Sequence, residues 1–279
     1  MNDIIMHSYS LRNFSREEAF THTAACGYKG IELQRAHFKE QELDSELPQC
    51  LRLANDLGLS IHCVDFTADI TNDDEKIRQD SIDLIAKNLR ICGTHHIPLM
   101  NGFTGFLVAD ADNWGANGSA IAEEKHFDRV TEALIHLCSI AESSNVTLCL
   151  EVHMNTIHDT YGTTARLLNR VQSNRLKANP DPGNTFATSA AEHSPLSLDL
   201  ISESIGYFHM KNCRKTSEGT YSYDGFLGDG EIDFIPYLEK LQSLNYNGPI
   251  CVEYVGEGDA KAAVKEDIET LRSWLETIF

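Results

Sequence analysis

Four short stretches of the chain place a side chain able to bind a metal ion at or near the end of an apolar run. They are Thr147-Leu-Cys-Leu-Glu151-Val-His153, Lys177-Ala-Asn-Pro-Asp181-Pro-Gly-Asn184, Tyr207-Phe-His209-Met-Lys211 and Ile250-Cys-Val-Glu253-Tyr-Val. From Glu151 to Asp181 is 30 residues, from Asp181 to His209 28, and from His209 to Glu253 44. An ionised carboxylate in a run suited to burial must pair, protonate or bind a cation. Three carboxylates and one imidazole make an oxygen-rich set for one divalent ion of the Mn²⁺, Mg²⁺, Co²⁺ or Zn²⁺ type. Glu151, Asp181, His209 and Glu253 are therefore the candidate metal ligands.

Side chains two residues apart on a strand share a face. His153 is expected beside Glu151 and Lys211 beside His209, where a base and a cation would suit proton transfer and oxyanion stabilisation. Alternatively, His153 hydrogen-bonds a ligand and Lys211 pairs with a neighbouring carboxylate. Glu151, Glu253, His153 and Lys211 are the candidate catalytic residues. Asn184, in a Pro-Gly turn, would bond a substrate hydroxyl or serve the turn. His62 and Phe66, on the third strand, complete the expected substrate-binding set. Gly228-Asp-Gly230-Glu231 precedes a helical pattern and reads as an anion-receiving helix start or as a plain turn. The chain has no Gly-rich phosphate loop, no Gly-x-Ser-x-Gly and no His-Glu-x-x-His.

The elements that must carry these residues alternate between strand-like and helical patterns. Ile4–Tyr9, Gly30–Leu33, Ser60–Phe66 and Ile97–Asn101 read as strands one to four, and the four motif runs as strands five to eight. Helices are expected from the Ser15-Arg-Glu-Glu18 capping box to about Gly27, and at 48–57, 73–90, 123–143, 164–173, 197–204, 234–243 and 259–277. Units of one strand and one helix with a polar group at each strand end predict an α/β chain. The expected fold is a (β/α)₈ TIM barrel forming a single domain over residues 1–279. The stretch 102–120, rich in Gly, Asn and Asp, reads as a surface loop or as a lid over the face built from βα loops.

At 279 residues the length suits one such barrel, and 42% apolar residues suffice for a large core. With 42 Asp and Glu against 23 Lys and Arg, the formal charge is −19, which disfavours a nucleic-acid partner. Eight scattered cysteines without a Cys-x-x-Cys suit reduced core positions. Met1-Asn-Asp-Ile-Ile-Met-His7 has no basic region, and no apolar run approaches a membrane span. A cytoplasmic protein with a small-molecule partner is expected, and a homo-oligomer is left open.

The chain resembles the xylose-isomerase-like TIM-barrel superfamily, in particular its sugar phosphate isomerase/epimerase branch. The likeness runs from Gly27-Tyr-Lys-Gly-Ile-Glu-Leu33 through Gly228-Asp-Gly-Glu-Ile-Asp233 to Ile250-Cys-Val-Glu253-Tyr. It implies a divalent metal held by Glu151, Asp181, His209 and Glu253, and a sugar isomerase or epimerase working through an enediolate. Locally, Glu151-Val-His-Met-Asn-Thr-Ile-His-Asp-Thr160 and Phe208-His-Met-Lys-Asn212 resemble bacterial 3-dehydroshikimate dehydratases. That likeness implies catalytic roles for His153 and Lys211 and makes a dehydratase, on dehydroshikimate or an inosose, the alternative. The chain departs from that group at Ile97-Pro-Leu-Met-Asn101, where the dehydratases have an Arg for the substrate carboxylate, and at Phe66, where they have a Tyr. A His three residues past the metal Asp is Asn184 here. DNA-repair endonucleases of this fold need more histidines than the chain supplies. A silent binding barrel would have no need of all four ligands.

Overall fold

The computed structural model describes residues 2–67, 69–188 and 192–278. Strands and helices alternate: β1 Ile4–His7, α1 Arg16–Cys26, β2 Gly30–Leu33, α2 Leu43–Asp56, β3 Ser60–Thr67, α3 Glu75–Thr94, β4 Leu99–Phe103 and α4 Glu124–Ser144. They continue with β5 Thr147–Glu151, α5 Tyr161–Val171, β6 Leu176–Asn179, α6 Pro182–Thr188, β7 Phe208–Met210, α7 Ile235–Ser243, β8 Ile250–Val252 and α8 Ala260–Ile278. The eight strands hydrogen-bond in the order β6-β5-β4-β3-β2-β1-β8-β7, the order of a (β/α)₈ TIM barrel. After β7 a short antiparallel hairpin pairs Arg214–Lys215 with Tyr221–Ser222.

Packing divides the chain into two compact units, residues 1–62 with 207–279, and residues 63–206. The first holds β1, β2, β7 and β8 with α1, α2, α7 and α8. The second holds β4 to β6 with α3 to α6 and most of β3. Within each, strands such as β1 and β2 are buried at every position, as parallel strands covered on both faces must be. The helices lay one apolar stripe inward. On α4 it is Phe127, Val130, Leu134, Leu137 and Ala141; on α8 it is Val264, Ile268, Leu271 and Leu275. All eight cysteines are free thiols, seven of them buried. Among the described residues no helix is long and apolar enough to cross a membrane.

Local chemistry sets the helix ends. Ser15 and Glu18 form the capping box that opens α1, and Gly27 closes it at φ +87°. Three expectations shift. Helix α2 begins at Leu43 rather than Pro48, because Leu43 and Leu47 are fully buried and draw an extra turn inward past the proline. The stretch Pro195–Ser204 is 3₁₀ rather than α. The first strand stops at His7, and Ser8–Leu11 turns into a 3₁₀ segment.

One buried acid on α8 fastens the loop that follows the hairpin. Asp267 accepts a 2.6 Å hydrogen bond from the Leu227 backbone N–H, yet burial pushes its carboxyl up to about 7. The unfolded chain thus loses this proton near pH 4 while the folded chain keeps it. Stability should fall as pH rises from about 4 to about 7 and stay level above. Asp267→Asn keeps the acceptor and removes that slope. In urea titrations at pH 8 it should gain on the order of 1 kcal/mol over the parent. Equal stabilities of the two proteins at pH 8 would show that Asp267 is ionised at no cost in the fold.

Candidate metal centre

In the unit of residues 63–206, Glu151 closes β5 and lies buried. Register places Asn179 of β6 opposite it, and Asn101 of β4 opposite Cys149 on the same face. Asn101 donates to Glu151 Oε2 at 3.4 Å, and Asn179 donates to Asn101 Oδ1 at 3.0 Å. Asp181 lies just past β6, where its Oδ1 accepts the Asn184 backbone N–H at 3.1 Å and opens helix α6. The Asn184 amide nitrogen then reaches Glu151 Oε1 at 3.0 Å and Asp181 Oδ2 at 3.1 Å. One side-chain amide thus holds two buried carboxylates.

The unit of residues 1–62 and 207–279 carries the other two candidates. His209, on β7, meets the buried carboxylate of Glu32 through Nε2 at 2.7 Å. With Nε2 donating to Glu32, the lone pair lies on Nδ1, the arrangement in which a carboxylate orients a metal-ligating imidazole. Glu253 stands one residue past β8, with Lys211 Nζ 2.6 Å from Oε2 and His7 Nδ1 3.2 Å from Oε1. Burial alone would raise the Glu253 carboxyl, but Lys211, His7 and His209 outweigh it and hold it below the usual carboxylate range. Lys211 thus takes up the ion pair that the sequence left as its alternative role. Each unit thus carries two of the four candidate ligands buried at strand ends, Glu151 and Asp181 in the one, His209 and Glu253 in the other.

The remaining expected residues divide. His153 leaves β5, points Nδ1 at the Met154 carbonyl at 2.9 Å, and packs its ring 5.0 Å from Phe103 and 5.6 Å from Phe106. Asn184 sits in the first turn of a helix, not in a Pro-Gly turn, and its amide nitrogen is spent on the carboxylates. Among the described residues no donor meets its buried Oδ1. Phe66 is a correction. It pairs with Gly102 while Asp65 pairs with Asn101, so Phe66 faces away from the side that carries Glu151. A methyl group at Gly102 would lie 2.3 Å from the Phe66 carbonyl oxygen, which explains the glycine. His62 has the same strand parity as Phe66 and is likewise turned from the Asp65 side.

Sequence reasoning missed Glu32, His7, Asn101, Asn179 and Asp65. The signal for Glu32 was available: a lone acid inside the buried run Gly30-Ile-Glu-Leu33. The Gly228-Asp-Gly230-Glu231 motif proves to be a turn. The Asn212 side chain donates to Leu227 O and Ile232 O, and a methyl group at Gly230 would fall 2.0 Å from its Oδ1. Behind Glu151, burial lowers the His158 imidazole to about 4, so it stays neutral.

Comparison with known proteins agrees with this architecture. Over 276 residues the chain is 21% identical to a putative L-ribulose-5-phosphate 3-epimerase of Haemophilus influenzae, covering 95% of this chain and 91% of that one. It is 29% identical over 143 residues to an inosose dehydratase of Lactiplantibacillus plantarum, spanning 47% of each, about half of that enzyme's length. Among solved structures, a probable 3-DHS dehydratase from Bacillus anthracis superposes with a TM-score of 0.77 at 20% identity, covering 97% of this chain and 98% of that one. A barrel protein from Mycobacterium smegmatis in complex with magnesium gives 0.77 at 16% identity, covering 100% and 98%. At these identities the structural likeness speaks for the fold alone. The family model described as xylose isomerase-like TIM barrel matches residues 20–274, and the chain belongs to that family.

Proposed function

We propose that the chain is a divalent-metal-dependent enzyme that moves a proton on the carbon next to a carbonyl in a keto-sugar or polyol-like substrate. Isomerisation or epimerisation is the first reading. The Glu32–His209 hydrogen bond at 2.7 Å carries the metal part. A buried carboxylate that orients one imidazole nitrogen has its usual reason when the other nitrogen binds a metal. In a (β/α)₈ barrel the strand C-termini share one face, so Glu151, Asp181, His209 and Glu253, from β5 to β8, are the proposed ligands. Three oxygens and one nitrogen suit Mn²⁺, Mg²⁺, Co²⁺ or Zn²⁺. Such an ion would supply Lewis-acid polarisation of a substrate carbonyl and its neighbouring hydroxyl, acidifying the C–H between them.

The chain's own groups would do the rest. Glu151, fixed by two amides, takes the proton from carbon. Glu253, kept ionised by Lys211, approaches from another strand end and exchanges a proton on the other side. Return of the proton to the opposite face of the same carbon gives an epimer; return to the neighbouring carbon gives an isomer. With Nδ1 turned to the Met154 carbonyl, His153 keeps Nε2 for a substrate hydroxyl. Lys211 and the Asn184 carbonyl oxygen offer a donor and an acceptor for further substrate oxygens.

The second reading is a dehydratase, in which the same enediolate expels a β-hydroxyl as water. What favours it is a group that can protonate a leaving hydroxyl, His153 or Lys211, together with relatives that include an inosose dehydratase. The acidic chain makes a sugar or polyol a better partner than nucleic acid.

Metal-supplemented protein in D₂O with ketoses, inososes, 3-keto-glycosides and dehydroshikimate tests the reaction. Deuterium should enter at the carbon beside the carbonyl. Glu151→Gln and Glu253→Gln should each abolish exchange while remaining folded, since shape is kept and charge is lost. Exchange near the parent rate in either variant would move the proton to another group. Glu32→Gln should weaken Mn²⁺ binding by about 10–100-fold through loss of the oriented imidazole. Unchanged affinity in that variant would remove Glu32 from the metal's support.

A further inference from the structure

Beyond Asn101 of β4, three aromatic rings form a wall. Phe103 shares strand parity with Asn101, which bonds Glu151, so its ring lies on the same face about 7 Å further along the strand. Phe106 stacks on Phe103 with centroids 4.7 Å apart and planes 28° apart. The His153 ring tilts against both, at 36° and 38°. Phe106 is nonetheless 46% exposed.

The loop that carries this exposed ring is tightly fastened. Leu107 donates to Asn155 O at 2.8 Å, and Gly118 donates to Leu107 O at 2.8 Å. Asn117, fully buried, accepts from Ala109 N and Asp110 N and donates to Asp110 O and Asn155 Oδ1. Ser119 donates to the buried carboxylate of Asp159 at 3.1 Å. These ties run within the loop or to the segment after β5 that holds His153, and Thr104 O also accepts from Ile70 N and Thr71 N after β3. The sequence offered a surface loop or a lid for 102–120; the hydrogen bonds describe instead a fastened wall. A rigid frame that holds a flat apolar surface in water beside a proton-transfer group is built for a ligand.

We infer that Phe103 and Phe106 receive the C–H face of the substrate, Phe106 acting as a specificity-determining residue that selects a six-membered cyclic keto-polyol over an open-chain ketose. The inference rests on the reading above and narrows its substrate class. A ring with its hydroxyls equatorial presents axial C–H bonds on both faces, a flat apolar surface that matches stacked rings. An open-chain ketose has no such face. The chelating oxygens at the ring's edge would point down the strand toward Asn101 and Glu151, while the ring face lies on the aromatic pair.

Saturation-transfer NMR on the Mg²⁺-loaded protein tests this without requiring turnover. Irradiating aromatic protons should transfer saturation to the ring C–H protons of an inosose, and far less to erythrulose, a ketose too short to close a ring. Phe106→Ala should raise the inosose dissociation constant about tenfold. Phe106→Tyr, which keeps the flat ring, should restore it, and Phe106→Leu, apolar but not flat, should not. Thermal unfolding of Phe106→Ala should match the parent, because the side chain is half exposed and the loop is held by Asn117. Where turnover is measurable, KM should rise more than kcat falls. No transfer to the inosose ring, equal affinity in the parent and Phe106→Ala, or a preference for erythrulose in both would overturn the inference. Failure of deuterium exchange with every substrate would instead sink the reaction itself.

Discussion

A carboxylate at the end of an apolar strand has to be met before the strand can be buried, and this requirement organises the chain around its candidate centre. In residues 63–206 amides meet it. Asn184 spans Glu151 and Asp181, and Asn101, itself braced by Asn179, adds a further donor. In the other unit cations and imidazoles meet it, with Lys211 and His7 on Glu253 and His209 on Glu32. The two solutions differ in kind. Amides orient a carboxylate while leaving its charge in place, which suits a ligand that also serves as a base. A lysine at 2.6 Å offsets much of it and keeps the carboxylate ionised when no proton is being exchanged.

Much of this was legible in the chain before any coordinates. A polar group capping an apolar run signals a strand end, and four of them at unit spacing name the barrel and the four candidate ligands. Capping chemistry located α1, and the stripes of α3, α4 and α8 were readable at helical period. The failures have separate causes. Phe66 and Asp65 are adjacent in sequence and opposite in facing, and only the register with Gly102 and Asn101 tells which looks toward Glu151. Pro182-Gly183 reads as a turn, but a proline also fits the first turn of a helix, and Asp181 supplies the cap that tips the balance. Glu32 and His7 lie far from the ligands in sequence and reach them only through the pairing of β1 with β2 and β8.

The proposed chemistry leaves one enediolate with several fates, so the ligand set alone does not choose among them. Choice falls to the residues just beyond it. In the proposed chemistry His153 and Lys211 would decide where protons go, and the Phe103–Phe106 pair the shape of what is held. Relatives that include a putative epimerase and a dehydratase accord with such a division. Rigid attachment of 102–120 through Asn117 matters because it puts the rim in place before the substrate arrives, so less binding energy goes into ordering it.

The central claim is that one divalent ion is held by Glu151, Asp181, His209 and Glu253, with a single imidazole among its donors. Electron spin-echo measurements on protein with ¹⁵N-labelled histidine, loaded with Mn²⁺, test it most directly. The account predicts one ion per chain and one directly coordinated imidazole nitrogen, lost in His209→Gln and kept in His153→Ala. An imidazole coupling that survives His209→Gln, or no stoichiometric ion at all, would contradict it.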